Sequence, residues 1–232
     1  MGGGRSAANR MDDDRDGKLG EAKPKLVESK QRWAREGRLL TGDASRAQWQ
    51  RLPPGQRKVE TWPILDLGVQ PEIPLDRWRL SIDGLVENPV SWDWPAFQAQ
   101  PQIYSRSDIH CVTAWSRYDN EWEGVSARHI IETVRPKPGA RFLWFTSYDD
   151  YTTNLPRAFF EDDDVLLAHS WQGKPLTRDH GGPVRVIVPK LYFWKSAKWI
   201  KRITFMAEDK AGFWEERGYH MKGDPWKEER YG

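Results

Sequence analysis

Every apolar run in this chain is short and ends at turn residues. FLWFTS (142–147) and PVRVIVP (183–189) are too brief for an ordinary helix, which averages about 11 residues, and suit strands laid into a sheet. In PVRVIVP, Val184, Val186 and Val188 fall on one face, with Arg185 and Ile187 on the other. RWRLSIDGLV alternates Trp78, Leu80 and Ile82 against Arg77, Arg79 and Ser81, the pattern of a half-buried strand, and Gly84 with Asn88-Pro89 punctuates its end. FLWFTS has no such alternation and is expected to be buried on both faces. SARHIIETV predicts a short helix capped by Ser126, with Ile130, Ile131 and Val134 on one face. The expected fold class is α+β: strand-dominated mixed sheets with short helices.

One core accommodates 232 residues, since single cores grow to about 250. Residues 1–22 are rich in Gly and Asp and read as a disordered tail. Residues 23–51 form a helical extension in which KPKLVESKQRWAREGRLL predicts a peripheral helix ending near Gly42, and 52–232 form the main domain. The C-terminal AGFWEERGYHMKGDPWKEERYG is expected to pack over the core.

Lys and Arg total 36 against 34 Asp and Glu, so no charge excess points to nucleic acid. No apolar stretch approaches the ~18 residues of a membrane span, no P-loop or GxGxxG appears, and a cytoplasmic protein is expected. The acidic run Glu161 to Asp164 lacks the alternate spacing of a calcium loop and reads as a solvated turn. Fourteen tryptophans suit either core anchors or the wall of a buried ligand.

The single cysteine, Cys111, lies in DIHCVTAWS and excludes an internal disulfide. It could be a small buried hydrophobe, a nucleophile, or a thiolate ligand to a metal that something else already holds. A nucleophile needs a base, and in an extended segment the neighbouring His110 points to the opposite face. The five histidines show no metal-binding spacing, so a metal held by protein alone is poorly supported.

A second stretch carries chemistry. In RDHGGPVRVIVPKLYFWKSAKWI (178–200), Gly181-Gly182 permits a tight turn before Arg185, and Lys195, Ser196 and Lys198 then set two ammonium groups and a hydroxyl close together. Such a set suits a phosphate, with a solvated basic face as the plainer reading.

Three segments in order, WRLSIDGLVENP, HCVTAWS and DVLLAHSWQGKPLTRDHGGPVRVIVP, resemble the sulfite-oxidase fold superfamily of molybdopterin enzymes from about Leu52 onward. The resemblance implies that fold and a molybdenum-molybdopterin cofactor whose pterin supplies dithiolene sulfurs. Cys111 then corresponds to the protein's metal ligand. The implied cofactor-binding residues are His110, Thr146, His180, Arg185, Lys195, Ser196, Ala197 and Lys198, the Ser-Ala-Lys segment taking the phosphate end. His169 stands where sulfite oxidases place a tyrosine and is expected to act as proton donor or substrate contact. Cys111 is followed by VTAWSR without the oxidases' asparagine-arginine pair, which implies reduction of an S-oxide or N-oxide more than oxidation of sulfite. The expected partners are a small oxide or oxyanion substrate and an unidentified electron-transfer partner. The chain ends where the oxidases continue into a dimerisation domain, so a monomer is expected. The alternative is a binding module of the same fold without catalysis.

Overall fold

The computed structural model describes residues 23–42 and 50–232, so the expected tail at 1–22 lies outside the described residues. Helix α1 (Pro24–Arg35) leads into β1 (Arg57–Lys58), β2 (Arg79–Gly84), β3 (Val90–Asp93) and α2 (Trp94–Gln98). The long hairpin β4 (Gln102–Cys111) and β5 (Trp115–Ser126) follows, then α3 (Ala127–Val134), β6 (Phe142–Ser147), β7 (Thr152–Pro156) and α4 (Arg157–Phe160). β8 (Leu166–Trp171), β9 (Lys174–Pro175), β10 (Arg185–Ile187) and β11 (Ile200–Met206) complete the set.

These strands form two mixed sheets. One runs β1-β5-β8-β10, with β4 also paired to β5 and β9 to β8. The other runs β3-β2-β11-β6-β7, parallel only where β11 meets β2. The larger core cluster gathers Leu80, Ile82, Leu143, Phe145, Val186 and Phe205. A second cluster gathers Ile109, Trp115, Trp122, Leu166, Ile187 and Tyr192. β10 joins them, because Val184, Val186 and Val188 face the first cluster while Ile187 faces the second.

Local chemistry explains the ends. Ser126 Oγ accepts from His129 N and caps α3, as its sequence predicts. α1 stops at Arg35 instead of near Gly42, because Glu36 caps it and Gly37 turns at φ 61°. β6 is buried on one face only: Leu143, Phe145 and Ser147 point inward while Phe142, Trp144 and Thr146 are half-exposed, so the continuous run in sequence hides an ordinary alternation. Gly124 lets β8 approach β5, since a Cβ there would lie 2.0 Å from the Leu167 carbonyl oxygen. Beyond β11 the chain does pack over the core, with Tyr219 and Arg230 buried and Trp226 edge-on to His110.

Candidate functional site

The hairpin tip delivers the cysteine. β4 ends at Cys111, Ala114 turns the chain at φ 68°, and Ala114 N donates to the Cys111 carbonyl at 3.1 Å. Gln56 Nε2 donates to the same carbonyl at 3.0 Å, and Arg230 Nη1 donates to the Val112 carbonyl at 2.6 Å, so side chains from two distant segments fix this turn. The thiol enters a cavity of about 170 Å³, where Thr113 Oγ1 lies 3.2 Å from Sγ. Burial pushes the thiol pKa up, while the Thr113 hydrogen bond and the charges of Lys30 and Arg230 pull it down. His110 takes the opposite face, with Nδ1 2.8 Å from Ser116 Oγ, and burial lowers its pKa to about 4. A histidine-activated nucleophile therefore has no geometry here.

Opposite the thiol, the stretch around β10 lines the cavity with Arg185, Ser196, Ala197 and Lys198. Arg185 is buried; it donates to the His180 carbonyl at 2.8 Å and the Ser196 carbonyl at 2.7 Å and stacks 4.2 Å from the Phe193 ring. Its Nε is buried without a partner, and burial lowers its pKa to about 9. Lys198 donates to the Asp179 carbonyl at 2.6 Å; burial, then the charge of Arg185, lowers its pKa to about 8. Ser196 Oγ accepts from Val188 N at 2.9 Å and keeps its own proton for another acceptor. Gly181, at φ 100°, lets its turn press on Lys198, since a Cβ would lie 2.9 Å from Lys198 Cβ. Buried Arg185 and half-buried Lys198 share one cavity wall, and neither has a carboxylate partner among the described residues. Such a wall is incomplete until an anion arrives.

The remaining expected residues lie elsewhere. His180 stacks at 3.9 Å on Trp62, a lining residue, with its pKa lowered to about 4 by burial. Lys195 is fully buried and points into an ion pair with Glu215 at 2.6 Å. Thr146 sits mid-sheet between Arg202 and Thr152 and does not line the cavity. His169 packs edge-on against Trp94 and Phe97, outside the lining, with its pKa lowered by burial. The sequence reading missed Asp149, Lys30 and Trp62. Asp149 lines the cavity, accepts from Tyr151 N at 3.1 Å, and is pushed up to about 7 by burial. Its only signal was a place just after a strand that ends near the cavity.

The family described as "Oxidoreductase molybdopterin binding domain" matches residues 67–214. The chain belongs to this family of molybdopterin oxidoreductases. It is 43% identical over 182 residues to "Uncharacterized oxidoreductase YuiH" of Bacillus subtilis, covering 78% of this chain and 92% of that one. It is 30% identical to the protein-methionine-sulfoxide reductase catalytic subunit of Ralstonia nicotianae, over 64% of this chain and 51% of that subunit. Among solved structures, the sulfane dehydrogenase SoxCD of Paracoccus pantotrophus superposes with a TM-score of 0.55 at 22% identity, over 60% of this chain and 40% of that one, a likeness of fold. The residues present fit a molybdopterin. The buried thiol supplies a soft donor, and the unpaired Arg185 and Lys198 supply the charge and hydrogen bonds that a phosphate needs.

Proposed function

We propose that this enzyme moves an oxygen atom from a small oxide, reducing S-oxides or N-oxides in preference to oxidising sulfite. The observation that carries the reading is the one cavity whose walls hold a buried thiol together with buried Arg185 and half-buried Lys198, neither of which has a carboxylate partner among the described residues. Cys111 is the protein ligand to molybdenum, with Arg185, Ser196, Ala197 and Lys198 binding the phosphate end and His180, stacked on the lining residue Trp62, as a further cofactor contact. When bound, the molybdenum centre supplies two-electron oxygen-atom transfer. The chain's own residues orient and enclose. Gln56 and Arg230 hold the backbone at the thiol, Thr113 holds the sulfur, and Trp62, Trp115 and Trp194 exclude water from the cavity.

The direction of the reaction is supported by the similarity to the methionine-sulfoxide reductase subunit and by the missing asparagine-arginine pair after Cys111. The balance is an oxide plus two electrons and two protons giving the deoxygenated product and water. A reduced redox protein or small carrier supplies the electrons. The enzyme acts as a cytoplasmic monomer, checked by cell fractionation and sedimentation.

The test is elemental analysis for molybdenum with pterin fluorescence, followed by a screen of S-oxides and N-oxides with a reduced dye and of sulfite with an oxidised one. Stoichiometric cofactor and oxide turnover support the reading, and sulfite turnover alone overturns it. Cys111→Ser should fold and lose turnover, because serine is a harder and poorer donor to this metal. Full activity in that variant removes Cys111 from the metal.

A further inference from the structure

The family match begins at residue 67, yet part of the cavity wall comes from before it. Helix α1 lies across this side of the cavity and presents Leu26 and Lys30 to it. Three contacts dock the helix there. Val27 packs with Leu67 and Phe213, Ala34 packs against the second core cluster, and Lys23 Nζ lies 2.6 Å from Asp66 Oδ1.

Lys30 differs from the other cations of the cavity. Arg185 and Lys198 each donate to backbone carbonyls on the β10 side, and the preceding reading commits both to the anionic end of the cofactor. The carboxylate of Asp66, also on the wall, is matched by Lys23. Lys30 has no carboxylate partner among the described residues. Its ammonium rests 3.8 Å from the Trp33 ring centroid, a contact that fixes its position without cancelling its charge. Lys30 and Cys111 line the same cavity; burial lowers the lysine pKa and the nearby Cys111 raises it. Around them Trp115, Trp214 and Tyr219 offer rings in place of competing charge. Half-buried and set beside these rings, the ammonium attracts an anion more strongly than it would on an open surface.

We propose that Lys30 determines substrate specificity, binding the negative charge of a small anionic oxide as it enters beside Cys111. This assignment deepens the oxide-reductase reading and rests on it: it names the charge of the substrate and the residue that reads it. It also gives α1 a task, because a helix outside the family domain carries the selecting group.

The test uses cofactor-loaded enzyme and two unreactive probes of similar shape, sulfate and the neutral dimethyl sulfone, titrated by calorimetry into the parent, Lys30→Gln and Lys30→Arg. Sulfate affinity should fall about ten-fold or more in Lys30→Gln, as for loss of a hydrogen bond to a charged group, and return in Lys30→Arg. Dimethyl sulfone should bind all three alike, and molybdenum and pterin content should be unchanged. Equal sulfate affinity in parent and Lys30→Gln overturns the proposal, as does failure of the parent to bind sulfate. Loss of cofactor from Lys30→Gln also overturns it, by making Lys30 a cofactor contact. Sulfate binding that depends on Lys30, in an enzyme that reduces no oxide, would sink the reductase reading and leave the anion-selecting role standing.

Discussion

Lys195 and Lys198 are three positions apart, the first fully buried and the second half-buried, and they are electrostatically opposite. Lys195 Nζ meets Glu215 Oε1 at 2.6 Å, Asn154 Oδ1 at 2.5 Å and the Met221 carbonyl at 2.6 Å, so its charge and protons are spent inside the protein. Glu215 Oε1 also accepts from Thr153 Oγ1 and Trp194 Nε1. Lys198 finds one carbonyl and no carboxylate. The first arrangement ties the C-terminal segment to β7; the second leaves charge facing a cavity. A buried cation with its partner built in stabilises a fold, and one without a partner marks where a ligand must come.

The largest expected effect breaks the closed arrangement. Glu215→Gln keeps the shape but strands Lys195 in the interior, and removing one partner of a buried pair typically costs about 3–5 kcal/mol. Denaturant unfolding of the variant should show that loss. A shift below about 1 kcal/mol would mean that water or a local rearrangement serves Lys195, and the contrast between the two lysines would collapse.

Lys198→Met should do the reverse. The cofactor-free protein loses no ion pair, so its stability should stay within about 1 kcal/mol of the parent or rise. Cofactor retention under limiting supply should drop by about ten-fold or more, since a charge-assisted contact to phosphate is gone. Molybdenum and pterin content per protein reads this directly. A variant that unfolds like Glu215→Gln while holding its cofactor would show that Lys198 is structural.

Asp149 gives the contrast a pH signature. Its folded pKa is about 7 against the usual 3.8, with burial as the main cause. Between these values the folded protein keeps a proton that the unfolded chain releases, so its contribution is full below pH 3.8 and lost as pH rises towards 7. In cofactor-free protein Asp149→Asn should match the parent near pH 4 and exceed it at pH 8 by no more than ~4 kcal/mol, the full shift converted at about 1.36 kcal/mol per pH unit. Parallel stability curves would remove Asp149 from the buried wall.

The same contrast explains what the sequence could reveal. Alternation in RWRLSIDG and the Ser126 cap are local, and both are found where expected. The hairpin that carries Cys111 was harder to read, because much of QIYSRSDIHC is polar and only its last residues, Ile109 to Cys111, are buried. WKSAK looked like one phosphate cradle. Which of its lysines is neutralised depends on Glu215, 20 residues away, and on a 3-10 turn at Phe193–Lys195 that points Lys195 and Lys198 to different surroundings. Long-range pairing of that kind leaves no periodicity in sequence. Lys30 was invisible for the same reason: nothing in KPKLVESKQRWAR says what its helix will cover.

The smallest effect is expected at His169. Its ring lies 6.1 Å from Trp94 and 6.2 Å from Phe97, both edge-on, and its Nε2 is buried without a partner. Burial lowers its pKa below 6.5, so at neutral pH the imidazole is uncharged, and it stands outside the lining of the cavity that holds Cys111. A proton donor must reach the reacting atoms directly or through one water. His169→Gln should therefore leave turnover within about two-fold and the pH–rate profile in place, since glutamine fills similar space and no proton path is cut. If the variant instead lost the acid limb of that profile, His169 would be delivering protons through the wall formed by Trp94 and Phe97. The boundary between the cavity and the surrounding core would then have to be redrawn to include them.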